Sequence, residues 1–118
     1  MAHIDVFLRM LNAYKQELGA AFPKAAPESV LLVLRECNRP RPRPQKQVED
    51  ATRLPQPTVS KLIAKMIDRE WLERSERDPA TSVKPVQISL LGQGVLEAFE
   101  KACRDAARNV PKGKGSDS

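Results

Sequence analysis

The chain is poor in the side chains from which most catalytic and metal centres are built. Its single histidine, His3, has no Ser/His/Asp set, no paired carboxylates in a pocket-like context and no phosphate-cradling glycine loop to work with, so an enzyme is not expected. Its two cysteines, Cys37 and Cys103, fall on predicted helices without CxxC or Cys/His spacing. Neither a disulfide framework nor a metal site is therefore expected, no cofactor is implied, and buried thiols are the default reading. Long apolar runs are also missing. Asp5 and Arg9 interrupt Ile4 to Leu11, so the N-terminus reads as neither a signal peptide nor a membrane span, and the expected location is cytoplasmic. Aromatic residues make up only 4%, and the single Trp71, beside Leu72 at the start of a predicted strand, is expected to pack as core.

Basic charge and proline are what the sequence has in quantity. Twenty Lys+Arg against fifteen Asp+Glu give a net charge of +5 and a pI near 9.5, which favours anionic partners. With 41% apolar residues, 118 residues suffice for one compact core. The chain reads as a single domain over residues 1–110 and a disordered tail over 111–118, which has no apolar residue to anchor it after Pro111.

Prolines punctuate the predicted elements. Ile4, Phe7, Leu8, Leu11, Tyr14 and Leu18 recur at helical steps and predict an amphipathic helix from Ile4 to Phe22, ended by Pro23. A second helix from about Pro27 carries the continuous apolar run Val30 to Leu34, which suits a central buried helix. Arg39-Pro40-Arg41-Pro42-Arg43-Pro44 cannot be helical, because each arginine precedes a proline and is pushed into extended geometry. A third helix follows Pro44 and runs through Val48 to Thr52, ending in a tight turn at Arg53-Leu54-Pro55. Trp71 to Arg77 and Val83 to Leu90 read as the strands of a hairpin turning at Asp78 to Ser82. Gly92 and Gly94 punctuate its exit, and Val95, Leu96, Phe99, Cys103 and Ala106 form the inner face of a last helix.

The segment Leu54 to Ile67 carries the functional signal. On a helical wheel Leu62, Ile63, Met66 and Ile67 fall on the side of Val59, whereas Pro57, Lys61, Ala64, Lys65 and Asp68 fall opposite. This is the turn and second helix of a helix-turn-helix, with Gln56 as its cap and Pro57 at its first position. An outward face of small and basic residues admits a helix to the major groove of duplex DNA; the alternative is an ordinary amphipathic surface helix.

The order of elements is that of a winged helix-turn-helix: mainly α, with a small β-hairpin wing and flanking N- and C-terminal helices. Gln56-Pro57-Thr58-Val59-Ser60-Lys61-Leu62, Arg69 to Arg74, Arg77-Asp78-Pro79 and Ile88 to Gly94 together resemble the MarR-like transcriptional regulators over roughly residues 27 to 105. The resemblance implies a dimer that binds DNA and represses or activates transcription, often under a small ligand. The sequence departs from the family at Glu70, where a glycine is usual, at Leu91, where a capping threonine is usual, and at Thr81-Ser82-Val83, where the wing tip usually has an arginine. The single C-terminal helix leaves the usual dimer region short, so no small-molecule effector is expected.

Side-chain chemistry names the contacts. Lys61 and Lys65 lie one turn apart on the outward face and can reach a phosphate or a guanine acceptor edge, solvated lysines being the alternative. Gln56 and Thr58 carry an amide and a hydroxyl suited to bases, Ser60 suits a phosphate oxygen, and Pro57 allows close approach, with helix capping as the alternative role for the polar three. Arg39, Arg41 and Arg43 alternate with prolines in a stiffened loop rising about 3.1 Å per residue, and one or two of them, Arg41 and Arg43 first, are phosphate candidates; a stiff, charged connector is the alternative. Arg77 and Lys84 flank the wing and are further phosphate candidates, with pairing to Glu73, Glu76 or Asp78 across the hairpin as the alternative. The apolar stripes of the first and last helices are expected to pack together and against a second copy in a two-fold dimer. Competing roles for the same fold are a plasmid partition or replication DNA-binding protein and a protein-interaction module.

Overall fold

The computed structural model describes residues 2–76, 79 and 84–108, without the side chains of Ala2 and His3. Arg77, the wing tip Thr81 to Val83 and the tail from Pro111 lie outside the described residues. In chain order the elements are α1 (Ala2–Glu17), a 3₁₀ turn (Gly19–Ala21), α2 (Pro27–Cys37), α3 (Gln45–Thr52), α4 (Gln56–Asp68), β1 (Leu72–Arg74), β2 (Val86–Ile88) and α5 (Leu90–Arg108). They form two compact units, residues 24–94 and residues 1–23 with 95–118.

The 24–94 unit is a winged helix-turn-helix. Ala26 is extended and Pro27 opens α2, its fixed φ suiting the first turn and its missing N–H costing no helical bond there. Val30, Val33, Leu34 and Cys37 repeat along one side of α2 and are fully buried, which makes α2 the centre of the core, although Leu31 and Leu32 are only half-buried. Val48 of α3, Val59, Ile63 and Met66 of α4, Leu72 of β1 and Val86 of β2 complete the core, all at most 1% exposed. Each such side chain contributes about 1.5–3 kcal/mol relative to exposure. At the end of α3 the Thr52 hydroxyl donates to the Val48 carbonyl at 2.7 Å, and Arg53 takes the left-handed conformation (φ 59°) that turns the chain into α4.

Among the described residues the strands are shorter than the predicted spans Trp71 to Arg77 and Val83 to Leu90. β1 and β2 are antiparallel with Leu72 opposite Ile88, Glu73 opposite Gln87 and Arg74 opposite Val86. On the other side of β2, Arg43 forms an antiparallel bridge with Val86: each backbone N–H donates to the other's carbonyl at 2.8 Å. The Arg-Pro segment thus enters the wing sheet, because Arg43, unlike its proline neighbours, has an N–H to give.

The hairpin runs directly into α5. Gly92 and Gly94, expected as punctuation before the last helix, lie inside it. The cap is Ser89, not a residue at position 91: its hydroxyl accepts from the Gly92 N–H at 3.0 Å and donates to the Glu70 carbonyl. Gly92 is required there, since a Cβ would stand 2.1 Å from the Trp71 carbonyl oxygen.

In the other unit the predicted helix from Ile4 to Phe22 is broken. α1 ends at Glu17, and the chain tightens into the 3₁₀ turn, with Ala21 N–H donating to Leu18 O at 3.1 Å and Phe22 N–H to Gly19 O at 3.0 Å. Gly19 packs so near the Tyr14 ring that a Cβ would be 2.9 Å from its Cε2. Tyr14, Leu18, Ala21 and Phe22 are buried, and the rings of Tyr14 and Phe99 meet edge to face at 6.3 Å. Cys103, expected to be buried, is half-buried. Among the described residues no helix is long and apolar enough to cross a membrane.

Candidate nucleic-acid interface

The second helix of the motif separates its faces as the helical wheel requires. Val59, Leu62, Ile63 and Met66 are buried and Ile67 half-buried, whereas Gln56, Pro57, Lys61, Ala64, Lys65 and Asp68 are exposed. Thr58 and Ser60 are half-buried at the margins. Gln56 is the first helical residue rather than the cap; Pro55 is the cap and supplies no side-chain bond, so the Gln56 amide is not spent on capping. Lys61 forms no ion pair among the described residues. The face therefore carries the Gln56 amide, the Lys61 and Lys65 ammonium groups and the Asp68 carboxylate around a low-relief patch at Pro57 and Ala64, with the Thr58 and Ser60 hydroxyls at its margins.

The arginines of the proline-rich loop separate into two kinds. Arg39 Nη2 and Arg43 Nη1 lie 3.0 and 3.4 Å from the two carboxylate oxygens of Glu36, and Arg35 Nε is 3.5 Å away. The Glu36 side chain is 5% exposed, so its charge is balanced by guanidinium groups rather than by water. Arg43, expected to reach a phosphate, thus spends part of its guanidinium on Glu36. Its side chain is 25% exposed. Arg41 is exposed and makes no ion pair among the described residues. The neighbouring Cys37 thiol is pushed up to about 12, chiefly by burial and further by Glu36, against a lowering by Arg43.

Glu36 was not among the residues picked out from the sequence. A signal existed: an acidic residue at the edge of the Val30, Val33, Leu34, Cys37 stripe requires a cationic partner if the helix is central, and arginines at positions 35, 39 and 43 supply it.

On the wing, Lys84 is exposed and its backbone carbonyl accepts from Arg74 Nη1 at 3.3 Å, while the Glu73 carboxylate accepts from Gln87 Nε2 at 3.2 Å. Neither Arg74 nor Lys84 forms an ion pair with Glu73 or Glu76 across the hairpin. Trp71 is buried core, as its place beside Leu72 requires. No group of His, Cys, Asp or Glu suited to a metal ion occurs among the described residues.

A three-helix core, a helix-turn-helix and a two-stranded wing define a winged helix-turn-helix fold. Residues 27–81 match the sequence model of the MarR family, and residues 24–94 have a MarR-like winged helix-turn-helix fold. The S. aureus MepR structure solved as a DNA complex is similar at 18% identity and TM-score 0.68, over 94% of this chain and 88% of that one. A transcriptional regulator of Thermotoga maritima is similar at 16% identity and TM-score 0.66, over 94% and 78%. The repressor CouR, solved on a 23-mer DNA duplex, is similar at 19% identity and TM-score 0.62, over 98% and 78%. No curated protein matches the chain.

Proposed function

We propose that the protein is a dimeric, sequence-specific regulator of transcription that binds duplex DNA with α4 in the major groove. The observation that carries this reading is the division of α4 into a buried face and an outward face of Gln56, Pro57, Lys61, Ala64 and Lys65, with Asp68 at its last turn. Gln56, Thr58 and Lys61 address base edges; Ser60 and Lys65 address phosphates, and Lys84, with Arg77, adds phosphate contacts from the wing. Arg41 is a weaker phosphate contact and Arg43 a structural arginine. Two of the similar structures hold DNA, which supports the partner. A DNA partner implies a cytoplasmic protein.

The dimer reading rests on α1, where Ile4, Phe7 and Leu8 are 59%, 60% and 55% exposed along one stripe. Apolar groups left in water on a helix face are accounted for by a second copy, and a two-fold dimer would take an inverted repeat with half-sites about one helical turn apart.

The test is a titration of duplex DNA, random and genomic, across a salt series with Lys61→Ala and Lys65→Ala beside the parent. Lys65→Ala is expected to lower the magnitude of the log-log salt slope by about 0.9, and Lys61→Ala to weaken the preference for the bound genomic duplex over random duplex. Failure of the parent to bind any duplex at low salt defeats the reading.

A further inference from the structure

We infer that Glu36 is a positioning residue for the DNA interface: its buried carboxylate, acting through Arg43, sets where the wing and the first turn of α3 emerge. The inference rests on the DNA-binding reading above. Glu36 lies on α2, the most buried helix, and does not itself reach an outward face. Of its three guanidinium partners, Arg35 and Arg39 come from the solvent side, with side chains 64% and 45% exposed. Exposed partners of this kind hold little in place, because water competes for them. Arg43 differs. Its side chain is only 25% exposed, with Nη1 3.4 Å from Glu36 Oε1 and Nε buried without a hydrogen-bond partner, and its backbone is committed to Val86 through two bonds of 2.8 Å.

That double commitment links α2 to the wing. The carboxylate holds the guanidinium, the guanidinium fixes the residue, and the residue's peptide groups fix the middle strand of the sheet. Lys84 stands two residues before Val86, and Gln45, the first residue of α3, two residues after Arg43. In an antiparallel bridge these two directions coincide: the chain leaving Arg43 toward Gln45 runs alongside the chain from Val86 back to Lys84, while Arg41 and Pro42 run toward Ile88. Glu36 therefore registers the end of the sheet that carries the wing lysine and the start of the helix-turn-helix. It does not register Arg41, which leaves in the opposite direction.

The sign of the effect separates positioning from simple charge. As a point charge, Glu36 opposes DNA, since it subtracts from the positive field and neutralises neighbouring arginines. Its removal would then strengthen binding and steepen the salt dependence. As a positioning residue its removal weakens binding, although the protein becomes more positive.

The experiment uses the full chain and one duplex bound by the parent, titrated across salt for the parent, Glu36→Gln, Lys84→Ala and the double variant. Glu36→Gln is expected to weaken binding several-fold. Lys84→Ala is expected to lower the slope magnitude by about 0.9 in the parent and by less than half as much in the Glu36→Gln background. A merely structural role that left Lys84 in place would give the same Lys84→Ala effect in both backgrounds, and that result overturns the inference. So does unchanged or tighter binding by Glu36→Gln, or a Lys84→Ala variant indistinguishable from the parent. Should Glu36→Gln fail to fold by circular dichroism, Glu36→Asp keeps the charge, shortens the reach by one methylene and takes its place with the same expected and overturning results. A parent chain that binds no duplex defeats both readings, whereas a parent that binds with additive variants defeats only this one.

Discussion

Gly92 sits against the backbone of Trp71 so closely that an added Cβ would be 2.1 Å from the carbonyl oxygen and 2.9 Å from its carbon. The same carbonyl accepts from the Ser89 N–H at 2.9 Å, so the end of the wing and the start of α5 are packed on one peptide group. In a helix interior, glycine to alanine ordinarily stabilises by about 1 kcal/mol. Here the sign reverses. Gly92→Ala is expected to destabilise by about 1–3 kcal/mol, since the obstacle is backbone and cannot rotate away. Gly94→Ala, with nothing within 4 Å of the new carbon, is expected to stabilise by about 0.5–1 kcal/mol. Thermal melts of the two variants decide it, and a higher midpoint for Gly92→Ala would contradict the packing.

Glu70 and Arg53 hold the left-handed conformation, with φ of 65° and 59°. Each ends a helix where glycine would carry no Cβ penalty. Glu70→Gly is expected to gain about 0.5–1 kcal/mol, offset in part by the greater freedom of glycine in the unfolded chain. A denaturant midpoint that falls rather than rises would show that Glu70 makes a stabilising contact outweighing its backbone.

Phe7→Asp places a charge in the exposed stripe of α1. A surface substitution of this kind alters a monomer's stability by about 0.5 kcal/mol at most. Sedimentation at micromolar concentration is expected to show a dimer for the parent and a monomer for the variant. A parent that sediments as a monomer removes the dimer.

Cys37 and Cys103 are expected to differ in thiol chemistry. With its thiol pushed up to about 12 by burial, Cys37 stays a neutral thiol at pH 7 and is fully buried as well. Cys103 is half-buried, its thiol raised by burial and by Glu100. Titration with a disulfide reagent should modify Cys103 in the folded protein and Cys37 only on unfolding. The raised thiol also fixes a direction in pH: the contribution of Cys37 to stability is complete below the unfolded value near 9 and is lost as pH rises toward 12. An alkaline midpoint that does not fall over that window in the parent relative to Cys37→Ala would show that the thiol is not so shifted.

What could be read from the sequence depended on how local its cause is. The faces of α4 were legible because burial of Val59, Leu62, Ile63 and Met66 follows one helical period within a single element. The turn at Arg53 to Pro55 was legible because Pro55 and Pro57 leave few conformations. The break in the first helix was not, because Gly19 acts through its distance to the Tyr14 ring, and an isolated glycine in an apolar period does not announce that contact. The role of Gly92 was misread for the same reason: its necessity comes from Trp71, distant in sequence. The Arg-Pro loop was read as an exposed connector or phosphate contact because its alternation is solvent-compatible; its pairing with Glu36 and Val86 depends on tertiary placement.

The bridge at Arg43 has one more consequence, for what the sheet cannot do. Since the peptide groups of Arg43 face β2, those of its neighbours face away from the sheet, and both neighbours are proline. The outer margin therefore has no N–H at positions 42 and 44, where an incoming strand would seek donors, and the Pro44 carbonyl already accepts from the Gln47 and Val48 N–H groups of α3. On this margin of β2 the wing sheet is therefore unsuited to recruiting a strand from another chain.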